Sequence, residues 1–161
     1  MTFVDRPLRW VGLLVVVLLT LTSQSIDTGA ASTLRRDTLT IVSGTTQHQF
    51  AIEVAETEQQ KAVGLMFRTS LDRRSGMLFP YKRAQELTMW MRNTYIPLDM
   101  LFIRADGVVH RIEKNTEPFS ETVIASQGPV LAVLELAGGV AGELGLKAGD
   151  LVKHPIFGAS Q

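Results

Sequence analysis

The sequence predicts a mainly β protein, a compact antiparallel sandwich or barrel-like domain with one or two short helices. Three observations carry this. Apolar residues alternate with period two in several short runs, Gly and Asp-Gly turns separate those runs, and the helical stretches are too short to cover both faces of a parallel sheet. Length agrees with a single domain, since 161 residues suit one core rather than two.

The first element is an export signal. Arg6 and Arg9 precede the apolar block Val11–Leu21 (VGLLVVVLLTL), and the small, polar run Ser23–Ser32 follows it. A basic start, about ten apolar residues and small residues at a cleavable position mark a secretory signal, whereas a spanning helix needs roughly twenty. Gly29-Ala30-Ala31 places the cut after Ala31, giving a signal at 1–31, a junction at 32–36, a β domain at 37–156 and a tail at 157–161. The expected location is therefore periplasmic or extracellular. The alternative is an uncleaved anchor that holds the domain at the membrane through this segment alone. Without cysteine, neither disulfides nor lipidation of a signal-end cysteine can contribute.

The mature chain opens with strands at Thr38–Val42 and Gln49–Val54 around Gly44-Thr45. Phe50, Ile52 and Val54 share one face, so an antiparallel pair is expected. Thr57-Glu58-Gln59-Gln60 has capping-box form, with a hydroxyl at the cap and Gln three residues on, which predicts a helix over 58–63 stopped by Gly64. Further strands are expected at 76–79, 87–92, 100–104, 108–114, 130–136 and 151–154. Ala105-Asp106-Gly107 makes neighbours of the third and fourth of these, because Asp-Gly takes the positive φ of a tight hairpin. Residues 138–144 suit one or two helical turns, with Gly145 as the stop.

Charge excludes some functions. With 16 basic and 16 acidic residues the chain is neutral, and loss of residues 1–31 takes two of each sign. A neutral domain has no electrostatic footprint for nucleic acid or an anionic membrane. There is no GxSxG, P-loop, GxGxxG after a strand or HExxH, and His48, His110 and His154 are far apart, so no catalytic motif, cofactor or metal site is expected from them.

The densest stretch runs from Gly64 to Asp99. Gly64-Leu65-Met66-Phe67-Arg68, Gly76-Met77-Leu78-Phe79, Trp90-Met91-Arg92-Asn93-Thr94 and Pro97-Leu98-Asp99, followed by Gly107, Leu134-Glu135-Leu136 and Gly149-Asp150, resemble in order the domain-of-unknown-function 192 family. The resemblance covers about residues 37–154. It implies a compact, mainly β, often exported domain and no agreed activity. Met89 stands where the resemblance leads one to expect an aromatic.

The residues suggest a site in their own right. In 87–92 an apolar face (Leu87, Met89, Met91) alternates with Thr88, Trp90 and Arg92, which sets an indole beside a guanidinium. Asn93, Thr94 and Asp99 follow, where a strand meets a loop. Glu135 lies in the apolar run Val130–Ala137 and must reach solvent or a cation, for which Arg68 and Arg92 are the expected partners. A polar pocket of Arg68, Trp90, Arg92, Asn93, Thr94, Asp99 and Glu135 would suit a carbohydrate, cell-wall fragment or peptide. Each residue also has a structural reading, in which Asn93, Thr94 and Asp99 serve turns, Trp90 fills core and Glu135 forms a clamp. Two other functions compete: a hydrolase using Asp99 and Glu135, and a Cu(I) site on the thioethers of Met89 and Met91. Oligomeric state has no signature here.

Overall fold

The computed structural model describes residue 2 and residues 33–158; the expected signal, its cleavage site and the last residues of the tail lie outside the described residues. β1 (Arg35–Ser43) and β2 (Thr46–Val54) pair antiparallel through the Gly44 turn, in register from Arg35 opposite Val54 to Ser43 opposite Thr46. On β2 the buried side chains are His48, Phe50, Ile52 and Val54, the period-two face expected, extended by one histidine. α1 (Glu58–Val63) follows with its capping box formed: Thr57 Oγ1 accepts from the Gln60 amide at 3.1 Å, and Gln60 Oε1 accepts from the Thr57 amide at 3.0 Å.

α1 and the loop after it carry the chain across to β3 (Ser75–Gln85), which pairs parallel with β2. Among the described strands this is the one parallel pairing in an otherwise antiparallel sheet, and a crossover element between two strands is what a parallel pair requires. β4 (Thr88–Met89) and β7 (Ile124–Ala125) form a separate two-stranded ribbon. β5 (Leu98–Ile103) and β6 (Val109–Glu113) pair antiparallel across the Asp106-Gly107 turn, as their spacing predicts. β8 (Val130–Ala137), the helical turn α2 (Val140–Glu143), β9 (Leu151–Lys153) and a 3-10 turn (Pro155–Phe157) complete the chain.

The seven-stranded sheet has the order β6-β5-β8-β3-β2-β1-β9 and curls into a half-barrel. Its two edge strands meet at one end: the Val109 amide donates to Asp150 O at 2.8 Å and the Val152 amide to Gly107 O at 2.8 Å. A residue with a Cβ could not stand at Gly107, where that atom would lie 2.7 Å from Val152 O and where φ is +80°. Both faces of the central strands are buried. Phe50, Ile52, Leu78, Leu101 and Leu134 belong to one apolar cluster, and Met77, Phe79, Met100, Phe102 and Val133 to the other. Strand alternation sorts β8 accordingly, so Leu134 and Leu136 face one cluster while Val133 and Glu135 face the other.

One expected strand is much shorter than its sequence suggests. Only Thr88 and Met89 of 87–92 are extended in a ladder, because the Met91 amide donates to Ser120 O at 2.9 Å, the Thr94 amide turns back to Met91 O, and Asn93 takes φ +55°. The period-two pattern there marks a loop that threads between two other segments.

Candidate functional site

Glu135 sits mid-strand on β8, opposite Met77 of β3 on one side and Met100 of β5 on the other. It is 4% exposed, and no hydrogen bond or ion pair joins its carboxyl group to any described residue. Two other buried acids show the contrast. Asp99 Oδ1 accepts from the Asn115 amide at 2.8 Å and its Oδ2 from the Ala141 amide at 2.7 Å, while Asp150 Oδ2 accepts from the Lys147 amide at 2.9 Å. Burial alone pushes Glu135 up from 4.5 to about 8, so at neutral pH it carries its proton.

Glu135 lines a cleft of about 240 Å³. One wall is α1 with the Gly64–Met66 loop, another is Phe79 and Tyr81 of β3, and a third is Thr88, Met89, Trp90 and Thr94. Gly64 lets its loop lie against Phe79: an added Cβ would meet that ring at 3.2 Å, and φ there is +48°. Trp90, 47% exposed, takes the Arg92 guanidinium over its ring at 5.2 Å, and Arg92 Nε reaches Glu121 Oε1 at 3.2 Å. At the opposite wall Lys61 Nζ lies 4.5 Å from the centre of the Tyr81 ring and 3.0 Å from Glu58 Oε1. Burial, then the nearby Glu58 and Glu135 carboxyls, raises the Tyr81 hydroxyl.

Of the seven residues expected from sequence, Trp90, Thr94 and Glu135 therefore line one cleft. Arg92 borders it through the Trp90 ring. Asn93 borders it too: its carbonyl accepts from the Phe67 amide at 2.8 Å and its Nδ2 donates to the Sδ of the cleft-lining Met66 at 4.0 Å. Arg68 does not converge on Glu135; it pairs with Glu53 of β2 and lines a separate groove with Asp37 and Asp72. The expected Glu135 ion pair is thus absent, because Glu53 and Glu121 hold the two arginines.

Asp99 is also elsewhere. Met100, not Asp99, stands opposite Glu135, and successive residues of a strand point to opposite faces, so the two carboxyls lie on opposite sides of the sheet. With both Asp99 oxygens holding backbone amides, the acid pair of a hydrolase is not assembled. The two thioethers are separated as well: Met89 lines the cleft, whereas Met91 is fully buried and its Sδ accepts from Thr116 Oγ1 at 3.1 Å. With β4 ending at Met89, the alternation that put the two sulfurs on one face stops.

Sequence reasoning missed Lys61, Glu58 and Tyr81. Tyr81 had a usable signal, since it follows Met77 and Phe79 at the period-two spacing of one strand face. Beside the cleft, Phe67, Tyr95 and Phe119 stand exposed and touch one another, with ring centres 6.2 Å and 5.1 Å apart.

Two solved structures share this architecture. A protein of unknown function from Novosphingobium aromaticivorans DSM 12444 has 43% identity, with 77% of this chain and 89% of that one covered and a TM-score of 0.74. A protein from Sinorhizobium meliloti 1021 described as a proposed transcription regulator has 36% identity, covering 77% of this chain and 97% of that one with a TM-score of 0.75. No curated protein matches the chain. The family model DUF192, described as uncharacterised ACR, matches residues 39–154, a span that holds the curled sheet except for the first four residues of β1 together with Trp90, Thr94 and Glu135 of the cleft; the chain belongs to the DUF192 family.

Proposed function

We propose that the protein is an exported, non-catalytic binding domain whose cleft at Glu135 and Trp90 takes a small cell-wall fragment, a sugar carrying a short peptide. The observation that carries this reading is the partnerless carboxyl of Glu135 on the wall of an open cleft. No described residue hydrogen-bonds this carboxyl, so its donor and acceptor are open to whatever enters the cleft. As a neutral acid Glu135 both donates and accepts a hydrogen bond, which fits hydroxyl and amide groups, and Trp90 offers an exposed face to the C–H surface of a sugar ring. Placement of Asp99 on the opposite face of the sheet, with both its oxygens on backbone amides, favours binding over hydrolysis by an Asp99–Glu135 pair. Export rests on the basic and apolar segment at residues 1–31. The Sinorhizobium protein's description as a transcription regulator finds no support in this chain's balanced charge, 16 of each sign.

Calorimetric titration with a disaccharide–tripeptide fragment tests the reading. Saturable binding is expected, weakened about tenfold (about 1.4 kcal/mol) by Trp90→Ala. No binding, or binding that neither Trp90→Ala nor Glu135→Ala changes, overturns it.

A further inference from the structure

We propose that the group seated against Glu135 is an ammonium of the ligand, and that its binding expels a proton from the cleft. This rests on the reading above and names the chemistry of its central contact. Two features of the cleft point to a cation rather than a second hydroxyl.

The first is a pattern that the walls repeat. The Tyr81 ring carries the Lys61 ammonium at 4.5 Å, which pairs with Glu58 at 3.0 Å; the Trp90 ring carries the Arg92 guanidinium at 5.2 Å, which pairs with Glu121 at 3.2 Å. Each is a ring, a cation and an acid. Glu135 supplies a third acid to the same cleft, which Phe79, Met66 and Met89 also line, and no described cation pairs with it. Aromatic faces and thioethers are polarisable surfaces that attract a cation without competing for its hydrogen-bond partner.

The second is the charge surrounding Glu135. The strands beside it present Met77 and Met100, and the short strand across the cleft presents Thr88 and Met89, none of them titratable. α1 presents Glu58 and Lys61, already paired with each other, and β3 presents the Tyr81 hydroxyl. Among the described residues no cation pairs with Glu135, the Lys61 ammonium being held by Glu58, so burial keeps it protonated. An incoming R–NH3+ changes this: the carboxyl releases its proton to solvent and the carboxylate pairs with the ammonium. The ammonium could belong to an amino sugar or to a peptide amine. Both present the same group, and the test separates them.

The experiment is calorimetry at pH 7 on the full chain, in two buffers of different ionisation enthalpy. Glucosamine and alanyl-lysine are the ligands, each beside its fully N-acetylated form. The proposal expects at least one of the two amines to bind, at least tenfold tighter than its acetylated form, with release of about one proton per ligand. Whichever amine binds identifies the source. Glu135→Gln is expected to abolish the proton release and the preference for the free amine; the wild-type heats decide the matter whether or not that variant folds. If the acetylated forms bind as tightly and no proton leaves, the ammonium contact is wrong while the binding cleft stands. If neither amines, acetylated forms nor the disaccharide–tripeptide fragment bind, both readings fall.

Discussion

Glu135 links the site to the stability of the fold. Its pKa of about 8 in the folded protein lies above the 4.5 of an ordinary Glu, so between these values the folded state binds the extra proton. The contribution of Glu135 to stability is therefore full below about pH 4.5 and falls as pH rises through that window, by at most about 1.4 kcal/mol per pH unit, before levelling above 8. Denaturant midpoints measured from pH 5 to 8.5 are expected to decline in the wild type, and the decline should be largely gone in Glu135→Gln. A wild-type midpoint that held level across this range would mean that the carboxyl is solvated or paired. The sequence exposed this residue because a lone acid in an eight-residue apolar strand is conspicuous. Its partners were not legible: the competing acids Glu53 and Glu121 are distant in sequence and meet Arg68 and Arg92 only through the sheet and the loops. His48 is a second case. It continues the Phe50–Val54 face into the core, where its Nε2 has no partner among the described residues, and only the full register shows that it is not a surface histidine.

Among the elements, those set by local chemistry were readable and those set by distant contacts were not. α1 declares itself through Thr57 and Gln60, four positions of one turn, and the β5–β6 hairpin through Asp106-Gly107. The strand expected at 87–92 fails because Ser120, far along the chain, takes the Met91 amide. β7 has only two residues, too few for a period to show. The central pairing has a sharper consequence. Gly76 lies opposite Leu136 on β8, and an added Cβ would stand 2.7 Å from the Glu135 carbonyl oxygen, a backbone atom that cannot swing aside. Gly76→Ala is expected to lower stability by about 1–3 kcal/mol, read as a drop in denaturant midpoint at unchanged slope, and to weaken ligand binding by shifting Glu135. Gly142, inside α2 with open space around it, is the control: Gly142→Ala should leave binding unchanged and raise stability by up to about 1 kcal/mol.

At the scale of the molecule, a curled sheet tied at its edges buries two faces at once, and this is why the central strands read as continuous apolar runs. Fold class followed from strand spacing and turn chemistry. The strand order did not, since β1 pairs with β9 from the far end of the chain and β2 pairs parallel with β3 through a crossover that no turn residue announces. The apolar residues also fall into two groups in sequence, the block at 11–21 that we propose is an export signal and the residues of the core. If the block is cleaved after Ala31 as its small residues suggest, the exported protein should begin at Ser32 by mass spectrometry, whereas an intact amino terminus at the membrane would favour the anchor. The account turns on one protein atom group in the cleft. Its most direct test is a carbon-13 NMR titration of the Glu135 carboxyl with and without ligand. An inflection near 8 in the free protein, moved to lower pH by glucosamine or alanyl-lysine, is the predicted result; an inflection near 4.5 that neither ligand moves would contradict it.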